Sequence, residues 1–290
     1  MKILVTGATG FIGAAVARKL SQQRHEVLAL SRSDAAAAKL TVAGLTPVAG
    51  DFAVPASLAA PAAQVDAIVS TASIGQVEGT RDSFAKDRDA VAVMTKALGD
   101  SGKPLIFTSG SAIFGVFTKG EASPTIFDED HPVPLPASIF APPAAELPPA
   151  FIDAFGGAMA PRAETETAVL KAAAVRGIVI RPGLVYGEGE GYDLPNLIAL
   201  AKKHGAAPHL GAGGVRQGYV HIDDLVRLYV LALEQAPAGA MLHAVTDEIA
   251  LGDLATAVSR LVGAGGRTEA LSLIGDVLPR RRRGREPIGQ

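Results

Sequence analysis

Residues 3–20 read ILVTGATGFIGAAVARKL. The run Ile3, Leu4, Val5 has the short, continuously apolar character of a fully buried strand, and from Phe11 onward the apolar residues recur at helical period. Gly7, Gly10 and Gly13 fall at the join. In a strand–turn–helix unit the first glycine permits the tight turn, the second lets a ligand approach the backbone, and the third lets the helix pack closely on the strand. The start of the helix adds free amide donors and the positive end of its dipole, which together suit an anion.

Further apolar runs follow: EVLAL at 26–30, DAIVS at 66–70, PLIFTS at 104–109 and GIVIRP at 177–182. They read as buried parallel strands, and the helical patterns between them imply an α/β protein with an open, doubly wound parallel sheet, the Rossmann arrangement. We expect the dinucleotide-binding domain over 1–182, interrupted by a Pro-rich surface loop or lid at 123–150 that can be neither helix nor central strand. A smaller second lobe is expected over 183–279, with helices at 194–204, 222–235 and 251–262 and a short strand near 240–245. An arginine-rich tail at 280–290 ends the chain and reads as a frayed, solvated charge run.

With 290 residues, 48% hydrophobic and 19% charged, the chain is long enough for a substantial core. The 27 basic and 29 acidic side chains nearly cancel, so no global field draws nucleic acid or an anionic membrane. No apolar run reaches the roughly 20 residues that span a bilayer, and the N-terminus enters the first strand without a signal-peptide pattern; the expected location is cytoplasmic. The absence of cysteine excludes disulfides and thiolate chemistry, and the six scattered histidines have no metal-ligand spacing.

The glycine turn therefore reads as a pyrophosphate cradle. The second strand ends LALSRSD at 28–34, where a dinucleotide site ordinarily places an acidic residue for the ribose hydroxyls. Here Ser31, Arg32 and Ser33 occupy the turn, and a guanidinium with two hydroxyls suits a 2′-phosphate. NADP is the expected cofactor rather than NAD, with Asp34, one residue further on, as the feature that would favour NAD. Asp51, after the third strand, is placed to meet the adenine edge or to serve as a plain turn residue.

TGATGFIG at 6–13, together with GDFAVPASL, DAIVSTAS, PLIFTSGSAIFG, FDEDHPVPLP, RPGLVYGEG and GYVHIDDLVRLYVLAL, resembles in order and spacing the short-chain dehydrogenase/reductase superfamily, in its extended or atypical NAD-dependent epimerase/dehydratase branch. The resemblance implies a bound nicotinamide dinucleotide, a small-molecule substrate held by the smaller C-terminal lobe at 183–279, which is then a substrate-binding lobe, and a homodimer formed through two helices per subunit. The candidate cofactor-binding residues are Gly7, Thr9, Gly10, Phe11, Ile12, Gly13, Arg32, Ser33, Asp51, Phe52, Thr71, Ala72, Arg162 and Pro182.

Chemistry in that family normally uses a Ser or Thr after the fifth strand and a YxxxK pair on the next helix. In MAPRAETETAVLKAAA, residues 159–174, a helix is expected to start at Pro161, and aligning Glu166 with the family's glutamate puts Arg162 at the lysine and Ala158 at the tyrosine position. No tyrosine occurs before Tyr186. The usual hydroxyl position falls on Gly110 between Ser109 and Ser111, and Ser111 is the first choice to replace it, unless both serines only cap backbone groups. Arg162 either holds the nicotinamide ribose or a substrate carbonyl, or merely forms an i, i+4 pair with Glu166. Tyr186 either reaches the cleft or packs between the lobes. His221 with Asp224 reads as a dyad or, more plainly, as a short strand beside a helix capped by Asp223 or Asp224. In the glycine loop GAGGVRQGYV, Arg216 and Gln217 are placed to meet substrate. The expected function is an NAD(P)-dependent oxidoreductase, reductase or epimerase/dehydratase-like, acting on a small carbonyl or sugar-like substrate by hydride transfer without the Tyr/Lys pair. The alternative is an NADP-binding sensor that lacks catalysis.

Overall fold

The computed structural model describes residues 1–114, 120–131, 133, 149–191 and 193–271, with the side chains of 149–158 left aside. The expected tail at 280–290 and residues 132 and 134–148 of the expected Pro-rich loop lie outside the described residues. In chain order the strands are β1 Lys2–Thr6, β2 Glu26–Ser31, β3 Thr46–Ala49, β4 Ala67–Ser70, β5 Pro104–Thr108, β6 Arg176–Pro182, β7 Leu184–Gly187, β8 Glu190–Gly191, β9 Ala207–Leu210, β10 Arg216–His221, β11 Ala240–Ala244, β12 Asp247–Ala250 and β13 Thr268–Leu271. The helices are α1 Phe11–Gln22, α2 Asp34–Val42, α3 Ala59–Ala63, α4 Gly75–Glu78, α5 Arg81–Leu98, α6 Pro149–Leu170, α7 Leu194–His204, α8 Ile222–Gln235 and α9 Leu251–Leu261.

Seven strands form one sheet in the order β11-β6-β5-β4-β1-β2-β3, and every pair in it is parallel. The order in which the chain adds strands reverses between β1 and β4, the switch point at which such sheets take a ligand beyond their carboxyl ends. Period-two alternation splits each strand between two cores. Ile3, Val5, Ile106, Ile178 and Ile180 pack with α1 and α8, whereas Leu4, Leu105, Phe107 and Val179 pack with α3 and α5. A sheet covered on both faces needs apolar residues in both phases, which is why these strands read as unbroken runs.

The chain packs as two units: Met1–Val116, Ile126–Tyr192 and Gly218–Asp247 in one, and Phe117–Thr125, Asp193–Gln217 and Glu248–Gln290 in the other. The chain therefore enters the second unit three times, and α8 and β11, which lie beyond residue 182, belong to the first. The physical reason is burial: Ile222, Leu225, Val226 and Tyr229 of α8 fill the core beneath the sheet, and β11 pairs with β6 from Ala240↔Ile178 to Ala244↔Pro182. At this sheet edge the His243 amide donates to Glu129 Oε1 at 2.9 Å. In the second unit β9 and β13 pair in parallel, and Ala201, Ala207, Ala255 and Val258 make a small core with α7 and α9. No helix among the described residues is long and apolar enough to cross a membrane.

One helix boundary departs from expectation. The helix expected to begin at Pro161 begins at Pro149, and Pro161 lies inside α6. Proline fits a helix start most easily because it lacks an amide proton, but the preference does not bar it from the interior when packing holds the helix.

Candidate active site

The turn between β1 and α1 is built as its glycines require. Gly7 has φ +73°, and a Cβ there would lie 2.8 Å from Thr71 Oγ1 and 2.9 Å from the Ala72 nitrogen. A Cβ on Gly13 would overlap the Gly7 carbonyl oxygen, so α1 rests directly on the turn. Gly10 differs: among the described residues its Cβ would meet only the Gly7 oxygen, at 3.4 Å, and Thr9 and Gly10 are exposed. Gly10 is also the N-cap of α1, with no side chain bonded there. The open face at Gly10 above an uncapped helix start is the right shape and polarity for a pyrophosphate. Phe11 and Ile12 are half-buried against the core. Thr71 and Ala72 fasten β4 to β1, Thr71 Oγ1 donating to the Thr6 carbonyl at 2.6 Å and the Ala72 amide to Thr6 Oγ1 at 3.1 Å.

Beyond β2 and β3 lies a cavity of about 430 Å³ lined by Arg32, Ser33, Gly50 and Asp51 among others. Ser33 caps α2, accepting from the Ala36 amide at 3.3 Å, and Ser31 donates to the Ser33 carbonyl at 2.8 Å. These bonds shape the turn and leave Arg32 exposed at the cavity. Asp51 accepts from the Ala53 amide at 2.9 Å, while Phe52 is buried in the core below α3 and α5.

A second polar constellation sits where β5 and β6 end. Arg162 on α6 is only 8% exposed. Its Nε donates to Ser109 Oγ at 3.1 Å and its Nη1 to Gln76 Oε1 at 3.0 Å, and its guanidinium lies 5.6 Å from the Phe84 ring centroid. Gln76 is placed by α4, which hangs on a buried carboxylate of α5. Asp87 accepts from the Ile74 amide at 2.7 Å, the Gly75 amide at 3.0 Å and Ser73 Oγ at 2.5 Å. Burial raises the Asp87 carboxyl above its ordinary range, an effect its hydrogen bonds and the Arg162 charge oppose. Burial also pushes the Arg162 guanidinium downward, against the nearby carboxylates of Glu166 and Asp87.

The i, i+4 pair of Arg162 with Glu166 is replaced by a different partnership. Glu166, 2% exposed, accepts from Arg181 Nη2 at 2.6 Å and Nε at 3.0 Å. This fork-to-fork geometry is the strongest form of such a contact, and Glu166 has no turn-spacing reason to prefer Arg162 over it. Arg181 lies under the Phe114 ring, 4.9 Å from its centroid, and its Nη1 is 3.3 Å from His243 Nε2. Burial lowers the His243 pKa.

The two serines flanking Gly110 separate. Ser111 opens a 3-10 turn, Ser111–Phe114, and is exposed, whereas Ser109 is buried against Arg162. Pro182 is buried at the end of β6. Thr108 points the other way, to Tyr229 Oη at 2.5 Å, and burial pushes the Tyr229 phenol far above its usual range. Tyr186 packs on His221, ring centroids 5.2 Å apart. His221 itself caps α8, accepting from the Asp223 amide at 3.3 Å, so neither aspartate is the cap; Asp224 pairs with Arg227 at 2.9 Å. Arg216 is exposed and pairs with Glu248, Nε to Oε1 at 3.3 Å.

Gln76, Asp87 and Arg181 are site residues the sequence reading passed over. Asp87 left a signal: it stands on the buried stripe of α5 with Phe84, Val91 and Met94, where a lone carboxylate needs a reason. Arg181, a charge closing an apolar strand, left another.

The model of the NAD dependent epimerase/dehydratase family matches residues 3–141 and 162–244, resuming at Arg162. An uncharacterised protein of Schizosaccharomyces pombe is 31% identical, over 86% of this chain and 76% of its own. The 2-alkyl-3-oxoalkanoate reductase of Stenotrophomonas maltophilia is 29% identical, over 83% of this chain and 67% of its own. Among solved structures, a dTDP-glucose 4,6-dehydratase from Bacillus anthracis in complex with NAD superposes with a TM-score of 0.68 at 18% identity, covering 95% of this chain and 86% of that one. With the glycine turn, the parallel sheet and the match over both segments agreeing, the chain belongs to the NAD dependent epimerase/dehydratase family.

Proposed function

We propose that this protein is an NADP-dependent reductase of small carbonyl compounds in which Arg162 takes the part of the family's lysine and polarises the substrate carbonyl. The observation that carries the reading is the guanidinium itself: buried, fixed through Nε and Nη1, and standing beyond the ends of β5 and β6. Burying a charge is costly, and a protein that held Arg162 only for packing would gain more from an apolar side chain of similar volume. A fixed, dry positive charge aimed at a developing oxyanion is an efficient catalytic device.

The residues present fit a dinucleotide. Gly7, Gly10 and Gly13 with the start of α1 would hold the pyrophosphate, and the cavity at Arg32, Ser33 and Asp51 would take the adenosine end. Arg32, exposed at this cavity, supports a 2′-phosphate and hence NADP over NAD. When bound, a reduced nicotinamide supplies the hydride, and water the proton, that turn a ketone into an alcohol. Arg162 contributes orientation and charge, and it does not titrate in the neutral range.

The test begins with cofactor titrations. NADPH should bind at least about tenfold more tightly than NADH, a difference of roughly 1.4 kcal/mol, and Arg32→Asp should abolish the preference; equal affinities remove the 2′-phosphate argument. NADPH consumption is then followed with 3-oxo acids and esters, the class named for the Stenotrophomonas relative, beside other small ketones and keto sugars. Arg162→Ala should stop turnover while leaving the fold intact. NADPH binding without consumption of any of these carbonyls would instead support the non-catalytic, cofactor-sensing reading.

A further inference from the structure

His243 and Arg181 are direct partners across the parallel pair of β11 and β6. Nε and Nη2 of Arg181 are spent on Glu166, and Nη1 stands 3.3 Å from His243 Nε2. A guanidinium only donates, so the histidine nitrogen facing it is bare, and the ring is neutral with its one proton on Nδ1. A second proton would set donor against donor and charge against charge. Arg181 cannot turn aside, because its forked contact with the buried Glu166 fixes its plane. His243 can: it is half-buried and stands on the outer strand of the sheet.

The same histidine holds a strap, residues 127–131, FDEDH. Glu129 Oε1 accepts from the His243 amide at 2.9 Å, the Phe127 backbone meets the His243 ring, and the Phe127 ring packs on Phe114 with centroids 4.8 Å apart. His131 packs against Phe127 at 4.7 Å. Phe114 in turn meets the His243 ring at 5.5 Å and lies over the Arg181 guanidinium at 4.9 Å. Strap, phenylalanine and histidine thus stack on the Arg181 side of the buried ion pair.

Among the described residues, the charged groups acting on His243 are Arg181 from β6, Glu166 from α6 and Glu129 from the strap; Asp128 and Asp130 are exposed. Burial, and after it the Arg181 charge, opposes a proton on the ring, while Glu129, the Phe127 backbone and Glu166 favour one, and the balance is downward. A ring released into water regains its ordinary, higher value. Protonation therefore favours release: the closed arrangement holds at neutral pH and gives way as pH falls through the lowered value.

We propose that His243 is a proton-operated latch: neutral, it clasps the 127–131 strap at the edge of the sheet, and protonated, it leaves Arg181 and frees the Phe127 end of the strap while Glu129 remains the pivot. What the proton controls is the access of water to the ion pair that ties α6 to β6. The inference is independent of the reductase reading.

The experiment uses the full chain. Because the sequence contains no cysteine, Ile126→Cys, at an exposed position beside Phe127, gives a single site for a nitroxide spin label, and Val42→Cys, exposed on α2, gives a control. Electron paramagnetic resonance line shapes are followed between about pH 7.5 and about pH 5. The label at 126 should sharpen as pH falls, while the label at 42 and the circular dichroism stay constant. His243→Gln, which still accepts from Arg181 and takes no proton, should abolish the sharpening. Glu129→Gln keeps an acceptor for the amide but removes a charge that favours the proton, so its midpoint should move to lower pH. An unchanging line shape at 126, sharpening that survives His243→Gln, or sharpening of both labels together overturns the latch. Should His243→Gln leave the strap mobile at every pH, the Glu129→Gln midpoint decides: a move to lower pH supports the latch, and an unmoved or higher midpoint overturns it.

Discussion

Arg162 and Glu166 stand one turn apart on α6, yet each reaches away from the other: Arg162 to Ser109 at 3.1 Å, Glu166 to Arg181 at 2.6 Å. The two contacts tie α6 to the ends of β5 and β6 at adjacent points. Among the described residues the first uses only one arm of the guanidinium, whereas the second engages both carboxylate oxygens.

Gln76 is the remote anchor of Arg162, so Gln76→Leu should act through geometry. The buried Nη1 loses its acceptor, which should cost about 1–3 kcal/mol, measured by urea denaturation. If Arg162 polarises substrate, its displacement should also lower kcat by up to roughly 10²-fold with the KM for NADPH unchanged. Loss of stability with full kcat would count against a positioned guanidinium.

The Glu166–Arg181 pair predicts asymmetric mutational costs. Glu166→Gln leaves a buried arginine without its counter-charge and should destabilise the protein by about 3–5 kcal/mol, whereas replacing both partners, Glu166→Leu with Arg181→Met, should cost far less. A double-mutant cycle by chemical denaturation measures the coupling directly. Equal losses in the single and double variants would mean that packing, not charge, dominates at this point.

Two glycines of the turn, Gly10 and Gly13, should separate fold from binding. Gly10→Ala places its Cβ at ordinary contact distance, 3.4 Å from the Gly7 oxygen, so Tm should move little while dinucleotide affinity falls, because the methyl group occupies the approach to the backbone. Gly13→Ala forces α1 off the Gly7 carbonyl and should lower Tm as well as affinity. Calorimetry and thermal unfolding on the same two variants distinguish the effects.

His243 gives stability a pH dependence of known sign. Burial lowers its folded pKa below the ordinary value of 6.5, so the unfolded chain binds the proton more readily. Its contribution is therefore fully present above the unfolded pKa and is lost as pH falls through 6.5 toward the lowered folded value. Unfolding followed from pH 7.5 down to about 5 should show a decline that is shallower in His243→Gln. An unchanged slope in that variant would assign the decline to other groups.

The fold was legible because buried parallel strands leave unbroken apolar runs, and the glycine turn names its own geometry. The strand near 240–245 was legible as a strand, but its place was not: pairing with β6 depends on α8 filling the core beneath the sheet, a non-local fact. Pro161 misled the reading of α6, since a local preference for helix starts says nothing about tertiary support. Arg162 stood out in the sequence. Its partners did not, because Ser109 and Gln76 lie 53 and 86 residues away along the chain, and only the β-strand alternation at Thr108 and Ser109 decides which hydroxyl faces α6. The pairing of Glu166 with Arg181 was hidden in the same way by the more obvious neighbour one turn away.

The contact between Glu129 and the His243 amide has a bearing on assembly. β11 is the outer strand of the parallel sheet, and such a strand offers a row of backbone donors and acceptors to any chain that comes alongside. Here one of those donors is already satisfied by a charged side chain of the same molecule. An eighth strand could pair through His243 only by displacing a carboxylate and stranding it. Self-association by continuing the sheet is thus discouraged at this edge.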